Sequence, residues 1–449
     1  MVQRQKLLLG ASVRRLGSVP TGPSTTKTAK RIPKAALHQS STTPKQYYRA
    51  YSQLHRSGQL KACASALRRV YDRVEATSAL KRRAGDRLAL LLCQDPSLRQ
   101  PNELQRLLVE GGYAVRLSDA VLRYPLDAPK TSIQKQSDRP PAGTAHAVDD
   151  ALPLPMLRKL QVAFGADSTF WKGHTYRCGA SPFFSYVHRL DEPPRCSLDR
   201  VIKRLQKHAA EAFPLVKAAT RAEWWAHCRP HHTGHQLHFD SDDEGRGGVR
   251  HPIASCVLYL SGGVGGPTLI TEQHAASRPP RLAAAGWAVH PHENRAVIFN
   301  GSLLHAVIPG RGSPTADDET GGRGALKRRV SLMVAFWSSI RERPGEVPAS
   351  ARPFPYEAAS SPANDFGDGG GILSARNSWP RLFDWPPGED EGGEGGLLHR
   401  SNAASTTSTS KPASNAFWRV EPIWEPVSKH GDVKLPMSMP AYEQCFQGF

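Results

Sequence analysis

Seven short apolar runs separated by turn residues constrain the fold of this chain more than any other feature of its sequence. The runs lie at 236–239, 255–260, 267–271, 287–290, 295–299, 303–308 and 330–337. Short strands at regular spacing with Gly-rich turns are typical of a β-sandwich or jelly roll. Upstream of them, Ser197 is predicted to cap an amphipathic helix that closes at Pro214. The sequence therefore predicts a mainly β domain with flanking helices over 150–345.

Charge and composition divide the rest of the 449-residue chain. Residues 1–71 contain 14 of the 59 lysines and arginines and no acid, and such a basic segment is typical of a mitochondrial or plastid transit segment. The open alternative is a basic disordered tail on a cytoplasmic protein. Residues 353–412 are rich in Gly, Ser, Pro and acids, which is typical of disorder. The predicted parts are a transit-like or disordered segment at 1–45, a helical region at 46–124, a linker at 125–149, the β domain at 150–345, a low-complexity linker at 346–415 and a C-terminal segment at 416–449 that can pack on the domain.

The net charge of +19 does not by itself indicate a nucleic-acid partner. Subtracting the 14 basic residues of 1–71 leaves 45 basic against 40 acidic residues, a mild net charge of +5. The longest apolar runs fall far short of the roughly 18 residues that a membrane-spanning helix needs, so no transmembrane segment is predicted. Seven scattered cysteines without a Cys-x-x-Cys pair argue against a disulfide framework and a zinc ribbon.

The segment 235–240, His-Gln-Leu-His-Phe-Asp, is the first candidate for chemistry. Side chains alternate between the two faces of a strand, so His238 and Asp240 are expected on one face and Leu237 and Phe239 on the other. An imidazole and a carboxylate on one face make half of a site for a divalent metal. The alternative is an ordinary buried hydrogen bond between histidine and aspartate.

The third metal ligand is predicted to be His305. Asn300 and Gly301 stand between two apolar runs, which indicates a β-hairpin, and that hairpin would return His305 along the strand at 297–299. Two histidines and one carboxylate on one side of a metal form the facial triad of non-haem Fe(II) oxygenases and leave positions open for other ligands. The same set also suits zinc, so a metal-dependent hydrolase stays open.

The run at 329–337 alternates, which puts Arg329, Ser331 and Met333 on one face. A guanidinium and a hydroxyl two residues apart can hold one carboxylate. That arrangement suits the distal carboxylate of a 2-oxo diacid whose other end chelates the metal. A Gly-rich loop precedes the run and leaves open whether Arg328 or Arg329 is the anchor, although alternation with Ser331 favours Arg329.

Taken in order, His238-x-Asp240, His305 and Arg329-x-Ser331 resemble the motifs of the Fe(II)/2-oxoglutarate-dependent dioxygenase superfamily. The stretch 257–268, Val-Leu-Tyr-Leu-Ser-Gly-Gly-Val-Gly-Gly-Pro-Thr, resembles a strand pair of the prolyl-4-hydroxylase-like branch. The resemblance covers residues 215–340 and leaves both ends of the chain outside it.

The resemblance implies a double-stranded β-helix and an oxidative reaction. Fe(II), 2-oxoglutarate and dioxygen would together hydroxylate a C–H bond, with release of succinate and CO2. The implied residues are His238, Asp240 and His305 as ligands of the metal, and Arg329, Ser331 and Tyr259 as contacts of the cosubstrate. Ala335 stands where the nucleic-acid demethylase branch carries a second arginine, which argues against that branch.

The substrate and one further class of function stay open. The resemblance favours a protein or peptide side chain, with proline among the candidates, and a small molecule is the other candidate. A non-catalytic jelly-roll binding module would keep the fold without needing the ligand set. Three further histidines, His231, His232 and His235, are expected to line the approach to the site or to face solvent.

Overall fold

The structure of the chain is a computed structural model. It describes residues 43–73, 75–126, 138–176, 183–242, 249–275, 281–312, 328–343, 351–356, 379–384, 411–413, 415–427 and 442–448. All but the last three residues of the predicted transit-like segment therefore lie outside the described residues. So do most of the predicted low-complexity linker at 346–415 and most of the Gly-rich loop at 310–327.

Two β-sheets form the centre of the described chain. The larger sheet has eight strands in the spatial order β12 (Arg352–Pro353), β3 (Tyr186–Arg189), β4 (Arg221–Pro230), β11 (Arg328–Trp337), β6 (Ala254–Tyr259), β9 (Ala296–Asn300), β2 (Ala145–Asp149) and β13 (Lys411–Pro412). The smaller sheet has five, in the order β14 (Phe417–Val420), β8 (Gly286–Val289), β7 (Thr268–His274), β10 (Leu303–Val307) and β5 (His235–His238).

The two sheets share a buried core. Tyr259 and Phe299 of the larger sheet belong to one apolar cluster with Ile270, Trp287 and Leu303 of the smaller sheet, and each is at most 3% exposed. Strand alternation explains this packing, because every second side chain of each strand points between the sheets. The space between the sheets is therefore where inward-facing polar side chains meet.

Each of the seven predicted strands overlaps a strand of the structure, and the prediction of a mainly β chain with flanking helices is confirmed. The sequence did not predict β2, β3 or β4. The missed β4 lies in the middle of the larger sheet between β3 and β11. Its sequence contains Arg221, Glu223 and Arg229, and these charged residues interrupt the apolar pattern that indicates a central strand.

Helix α8 (Ser197–Ala212) lies where the amphipathic helix was predicted, and it buries Val201, Leu205 and Ala209 in the same core as β4 and β11. The predicted cap at Ser197 is wrong. Cys196 occupies the N-cap position, and the carboxylate of Asp199 accepts the backbone N–H groups of Arg195 and Cys196. Ser197 lies inside the helix, and its hydroxyl donates to the carbonyl of residue 383 instead.

The predicted hairpin at Asn300 and Gly301 is wrong. β9 pairs with β6 and β2 in the larger sheet, whereas β10 pairs with β5 and β7 in the smaller one. The turn therefore carries the chain from one sheet to the other. The side chain of Asn300 accepts the backbone N–H of Ser302, and Gly301 passes so close to Pro252 that a Cβ would lie 2.3 Å from its carbonyl oxygen.

A helical region precedes the sheets. It contains α1 (Pro44–Arg56), α2 (Leu60–Asp72), α3 (Ser78–Gln94), α4 (Glu103–Glu110), β1 (Val115–Leu117) and α5 (Asp119–Leu122), and α6 (Leu154–Ala163) and α7 (Thr169–Gly173) follow it. β1 pairs with β15 (Trp424–Pro426) and with β16 (Cys445–Phe446), so residues from the C-terminal part of the chain complete this region. Gln94 and Tyr124 donate to the carbonyl of Pro309, just after β10.

One short piece of the stretch predicted as disordered is packed in the core. Residues Trp379–Phe383 form a single 3-10 turn, and both end residues are buried against the larger sheet and its helices. The prediction of disorder is wrong for this turn, because two aromatic side chains bury enough apolar surface to order it. Among the described helices, none combines the length and the apolar character needed to cross a bilayer.

Candidate metal centre

The pairing of β5 with β10 at one edge of the smaller sheet brings two histidines together. His238 and His305 are direct partners in antiparallel register, with ring centroids 4.2 Å apart. Asp240 follows the end of β5, and its Oδ1 lies 3.6 Å from Nε2 of His238 and 3.8 Å from Nε2 of His305. The three predicted ligands thus come together, through a strand pair that the sequence did not predict.

The same ring nitrogen of both histidines is turned toward Asp240. Nδ1 of His238 donates to the carbonyl of Gln236 at 2.8 Å, and Nδ1 of His305 donates to the carbonyl of Leu303 at 3.1 Å. Because a carbonyl only accepts, the proton sits on Nδ1 and the lone pair on Nε2. Such carbonyl partners fix the tautomer and the orientation of histidines that bind metals.

Asp240 is oriented by a residue that the sequence did not single out. The hydroxyl of Ser255 on β6 donates to Oδ2 of Asp240 at 2.6 Å, which leaves Oδ1 for the histidines. Ser255 belongs to the larger sheet and Asp240 follows a strand of the smaller one, so this hydrogen bond ties the two sheets together at the site. No spacing in the sequence indicates a contact that crosses between sheets.

The chemistry of these donors fits a divalent transition metal. One ligand atom each from His238, Asp240 and His305 lies within 4.8 Å of the other two, and no other such group of three occurs among the described residues. Burial and, to a smaller extent, the neighbouring His305 lower the pKa of His238 to about 4. The imidazole is therefore neutral near neutral pH, which leaves Nε2 able to bind a cation.

Arg329 is buried on β11, with only 4% of its surface exposed. Nη1 donates to the carbonyl of Gly266 and Nη2 to the hydroxyl of Thr268, each at 3.0 Å. Gly265 permits this position, because its φ is +83° and a Cβ there would lie 2.8 Å from Cδ of Arg329. Burial lowers the pKa of Arg329, and no carboxylate of the described chain forms an ion pair with it. A buried cation of this kind needs an anion to compensate it.

The other predicted contacts of the cosubstrate surround Arg329. Ser331 is buried and is the direct register partner of Tyr259 on β6. The Tyr259 ring centroid lies 5.2 Å from the guanidinium carbon of Arg329, and its hydroxyl bonds that of Thr268 at 2.7 Å. Their roles toward a cosubstrate stay predictions. Arg328 is less buried and, by strand alternation, points to the opposite face from Arg329.

The expectation for the neighbouring histidines is wrong for two of them. His231 is buried, with Nε2 bonded to the carbonyl of residue 311, and His232 is buried against the helical region, where its Nε2 meets the Ser52 hydroxyl. Only His235 lies beside the set of His238, Asp240 and His305, which is called the metal group below, and its ring lies 4.3 Å from that of His238. His227 on β4 follows at 5.8 Å from His235, so four imidazoles form a row that ends at His305.

Comparison with known proteins gives weak similarities to solved structures. No family model and no curated protein matches the sequence. The chain is similar to a prolyl-4-hydroxylase from Pseudomonas putida (16% identity, 44% of this chain, 94% of the other, TM-score 0.29) and to EvdO2 from Micromonospora carbonacea var. aurantiaca in complex with 2-oxoglutarate (12%, 51%, 97%, TM-score 0.29). It is also similar to HygX from Streptomyces hygroscopicus with iron bound (11%, 47%, 92%, TM-score 0.27). The solved structures to which this chain is similar thus include a prolyl-4-hydroxylase.

Proposed function

We propose that this chain is an Fe(II)/2-oxoglutarate-dependent dioxygenase built on a double-stranded β-helix, and that it hydroxylates a C–H bond with release of succinate and CO2. The observation that carries the proposal is the combination of a three-ligand metal group with a buried Arg329 that lacks a carboxylate partner among the described residues. The ligand group suits Fe(II), and the arginine suits the distal carboxylate of a 2-oxo diacid.

In the proposed enzyme, His238, Asp240 and His305 would hold the iron, and Arg329 would bind the cosubstrate with help from Thr268. Bound iron and 2-oxoglutarate supply the activation of dioxygen and the oxidation of the substrate. The residues of this chain aim the ligands and position the anchor of the cosubstrate. The carbonyls of Gln236 and Leu303 hold the two imidazoles, and the buried Tyr259 ring covers the guanidinium of Arg329.

Two other functions would use part of the same arrangement. A metal-dependent hydrolase would use the same three ligands, but it would not need a buried arginine that lacks an anionic partner among the described residues. A non-catalytic binding module would need neither the oriented Nε2 atoms nor the hydrogen bond from Ser255 to Asp240. The complete and oriented ligand set therefore favours the dioxygenase.

The first test is spectroscopic. Purified chain mixed with Fe(II) and 2-oxoglutarate without oxygen is expected to show a metal-to-ligand charge-transfer band, and admitting oxygen is expected to yield succinate. His238→Ala and His305→Ala should each abolish the band, whereas His274→Ala, which changes an exposed histidine on β7, should retain it. A wild-type chain without the band would overturn the proposal, and zinc-dependent hydrolysis in its place would favour the hydrolase.

The second test identifies the anchor of the cosubstrate. Arg329→Gln is expected to weaken 2-oxoglutarate binding by about 2–5 kcal/mol, because it removes one partner of a buried charge pair. Titration of the charge-transfer band measures this affinity. Arg328→Gln is the matched control and should bind normally. If the Arg328 variant loses affinity and the Arg329 variant does not, the anchor is Arg328.

A further inference from the structure

A second arginine faces Arg329 across the larger sheet. Arg229 on β4 is the direct register partner of Arg329 on β11, so their side chains leave the sheet on the same face. Directly opposite residues of an antiparallel pair have Cβ atoms about 4.5–5.5 Å apart, and like charges in such a pair destabilise the sheet. An unfavourable pair in the middle of a sheet indicates that something outside the sheet compensates it.

Nothing in the described chain supplies this compensation. The only hydrogen bond of the Arg229 side chain seen there is a long one of 3.4 Å, from Nη1 to the carbonyl of Gly234. Its Nε is buried and has no hydrogen-bond partner among the described residues. Arg329 likewise forms no ion pair with a carboxylate among the described residues. Two adjacent guanidiniums with spare donors thus face the space between the sheets.

Arg229 lies on the side of the metal group. Arg229 and His227 are two positions apart on β4, so strand alternation puts their side chains on the same face. The His227 ring lies 5.8 Å from that of His235, and the His235 ring lies 4.3 Å from that of His238, a predicted metal ligand. This row of imidazoles connects the face that carries Arg229 with the metal group.

A count of formal charges shows what is missing. Arg229, Arg329 and a divalent metal carry four positive charges, and Asp240 removes one. The dianion 2-oxoglutarate would neutralise two of the remaining three, which leaves one positive charge. Arg229 is partly buried, with a buried Nε that has no hydrogen-bond partner among the described residues, so a further anion beside it is favourable when the site is full.

We propose that Arg229 binds a carboxylate of the substrate, so that the substrate is an acid held beside the metal. This inference rests on the proposed dioxygenase function and narrows its substrate class. The oxidation would then take place at a carbon that the Arg229–carboxylate pair positions near the metal.

Acetate is the probe for this site. The full-length chain is loaded with Fe(II) and 2-oxoglutarate without oxygen, and acetate is titrated at constant ionic strength in a calorimeter, with acetamide as the neutral control. Saturable binding is expected for acetate and not for acetamide. Arg229→Gln should weaken acetate binding by at least about tenfold, which is the size of one charged hydrogen-bonded contact, and Arg229→Lys, which keeps the charge, should bind acetate more tightly than Arg229→Gln.

The same variants separate a substrate site from a cosubstrate site. In Arg229→Gln the charge-transfer band should form at 2-oxoglutarate concentrations within about threefold of the wild type, because Arg329 remains. Arg221→Gln is the matched control, since Arg221 lies on the same strand but pairs with Glu342, and it should bind acetate normally. Unchanged acetate affinity in Arg229→Gln overturns the proposal, and so does a loss of 2-oxoglutarate affinity as large as that of Arg329→Gln.

Two further experiments follow. The first identifies the source of the carboxylate, and the second separates a failure of this inference from a failure of the proposed dioxygenase function. A short peptide with one glutamate and blocked ends replaces acetate. Binding that depends on Arg229 would assign the carboxylate to a peptide side chain, and binding of acetate alone would assign it to a small acid. If the wild type gives no charge-transfer band, the dioxygenase fails. The acetate titration of the metal-free variants then still decides whether Arg229 binds a carboxylate.

Discussion

At the scale of single residues, the metal group depends on hydrogen bonds that aim each ligand. His238 and His305 are held by backbone carbonyls, which no side-chain substitution removes. Asp240 is held instead by the side chain of Ser255, so its orientation can be tested by mutation. An aspartate free to rotate would have to be ordered when the metal binds, and this ordering would cost affinity.

Ser255→Ala is therefore expected to weaken metal binding by about tenfold, the lower end of what the loss of a residue that orients a ligand costs. The Fe(II) concentration at half-formation of the charge-transfer band in excess 2-oxoglutarate measures the change. Ser255→Thr keeps the hydroxyl and should retain wild-type affinity. Ser261→Ala removes a hydroxyl that accepts the Val330 N–H away from the ligands, and it should leave the band unchanged. Equal affinity in the wild type and the alanine variant at 255 would contradict this role.

The candidate metal ligands could be predicted from the sequence because their pattern is local or has a known order. Alternation along one strand puts His238 with Asp240, and the order His, Asp, His, Arg, Ser resembles that of the dioxygenase motifs. Ser255 and Arg229 could not be predicted in the same way. Their roles depend on which strands lie opposite one another, and register between distant strands has no signature in a single sequence.

At the scale of elements, the turn between β9 and β10 brings His305 beside the other two candidate ligands, although the predicted hairpin is wrong. His305 was expected beside residues 297–299 in one sheet, and it lies opposite them in the other sheet. Its ring still contacts that of Phe299, at 4.7 Å between centroids. Asn-Gly indicates a tight turn in both cases. Whether the strands on either side pair depends on the twist and packing of the whole sandwich.

Gly301→Ala tests whether this turn positions β10, the strand that carries His305. An added Cβ would lie 2.3 Å from the carbonyl oxygen of Pro252, so the turn or its neighbour must move. We expect a loss of about 1–3 kcal/mol in the free energy of unfolding, with weaker metal binding because β10 shifts. Gly112→Ala has nothing within 4 Å of its Cβ and should cost only the strain of its positive φ, about 1–2 kcal/mol, with metal binding intact. Urea unfolding and the charge-transfer band measure the two effects.

A second element, helix α1, packs against the residues that follow β4. The contact is made by uncharged histidines. The His55 ring lies 5.0 Å from that of His232, and the Ser52 hydroxyl meets Nε2 of His232 at 3.1 Å. Burial lowers the pKa of His55 to about 4 and that of His232 to about 2. In the unfolded chain each of these imidazoles binds a proton near pH 6.5, whereas in the folded chain it binds a proton only at a lower pH.

This arrangement predicts a loss of stability in mild acid. The contribution of His55 is fully present above about pH 6.5 and is lost as the pH falls toward about 4, because protons then bind the unfolded chain preferentially. Between about pH 7.5 and 5 the loss should be about 2 kcal/mol for His55. His55→Phe should show a correspondingly smaller loss in urea unfolding, and His292→Phe, at an exposed position, should follow the wild type. If the free energy of unfolding falls with pH equally in His55→Phe and in the wild type, the prediction is contradicted.

At the scale of the whole molecule, distant parts of the chain close the core. The 3-10 turn at Trp379–Phe383 packs its two aromatic end residues against α6 and α7. β14 pairs with the smaller sheet, and β15 and β16 pair with β1 of the helical region. Composition predicted the surroundings of the 3-10 turn as disordered and residues 416–449 as a segment that can pack on the domain. It could not predict which aromatic residues of the turn are buried, because their burial depends on contacts with residues about two hundred positions away.

Phe383→Ala measures how much this turn contributes. The side chain is fully buried, so its removal should cost about 3–5 kcal/mol in the free energy of unfolding. Leu382→Ala changes a partly buried neighbour and should cost clearly less. Urea unfolding followed by tryptophan fluorescence gives both values. A cost below about 1 kcal/mol for the phenylalanine would mean that the turn does not belong to the core.

Strand β5 lies at the open edge of the smaller sheet, and the amide oxygen of Gln447 accepts its Leu237 backbone N–H at 2.7 Å. The strand next to the metal ligands is thus secured by a residue made more than two hundred positions later. During synthesis, this edge stays without that support until Gln447 has left the ribosome. If the proposed metal binds here, its loading is expected only after translation has passed Gln447.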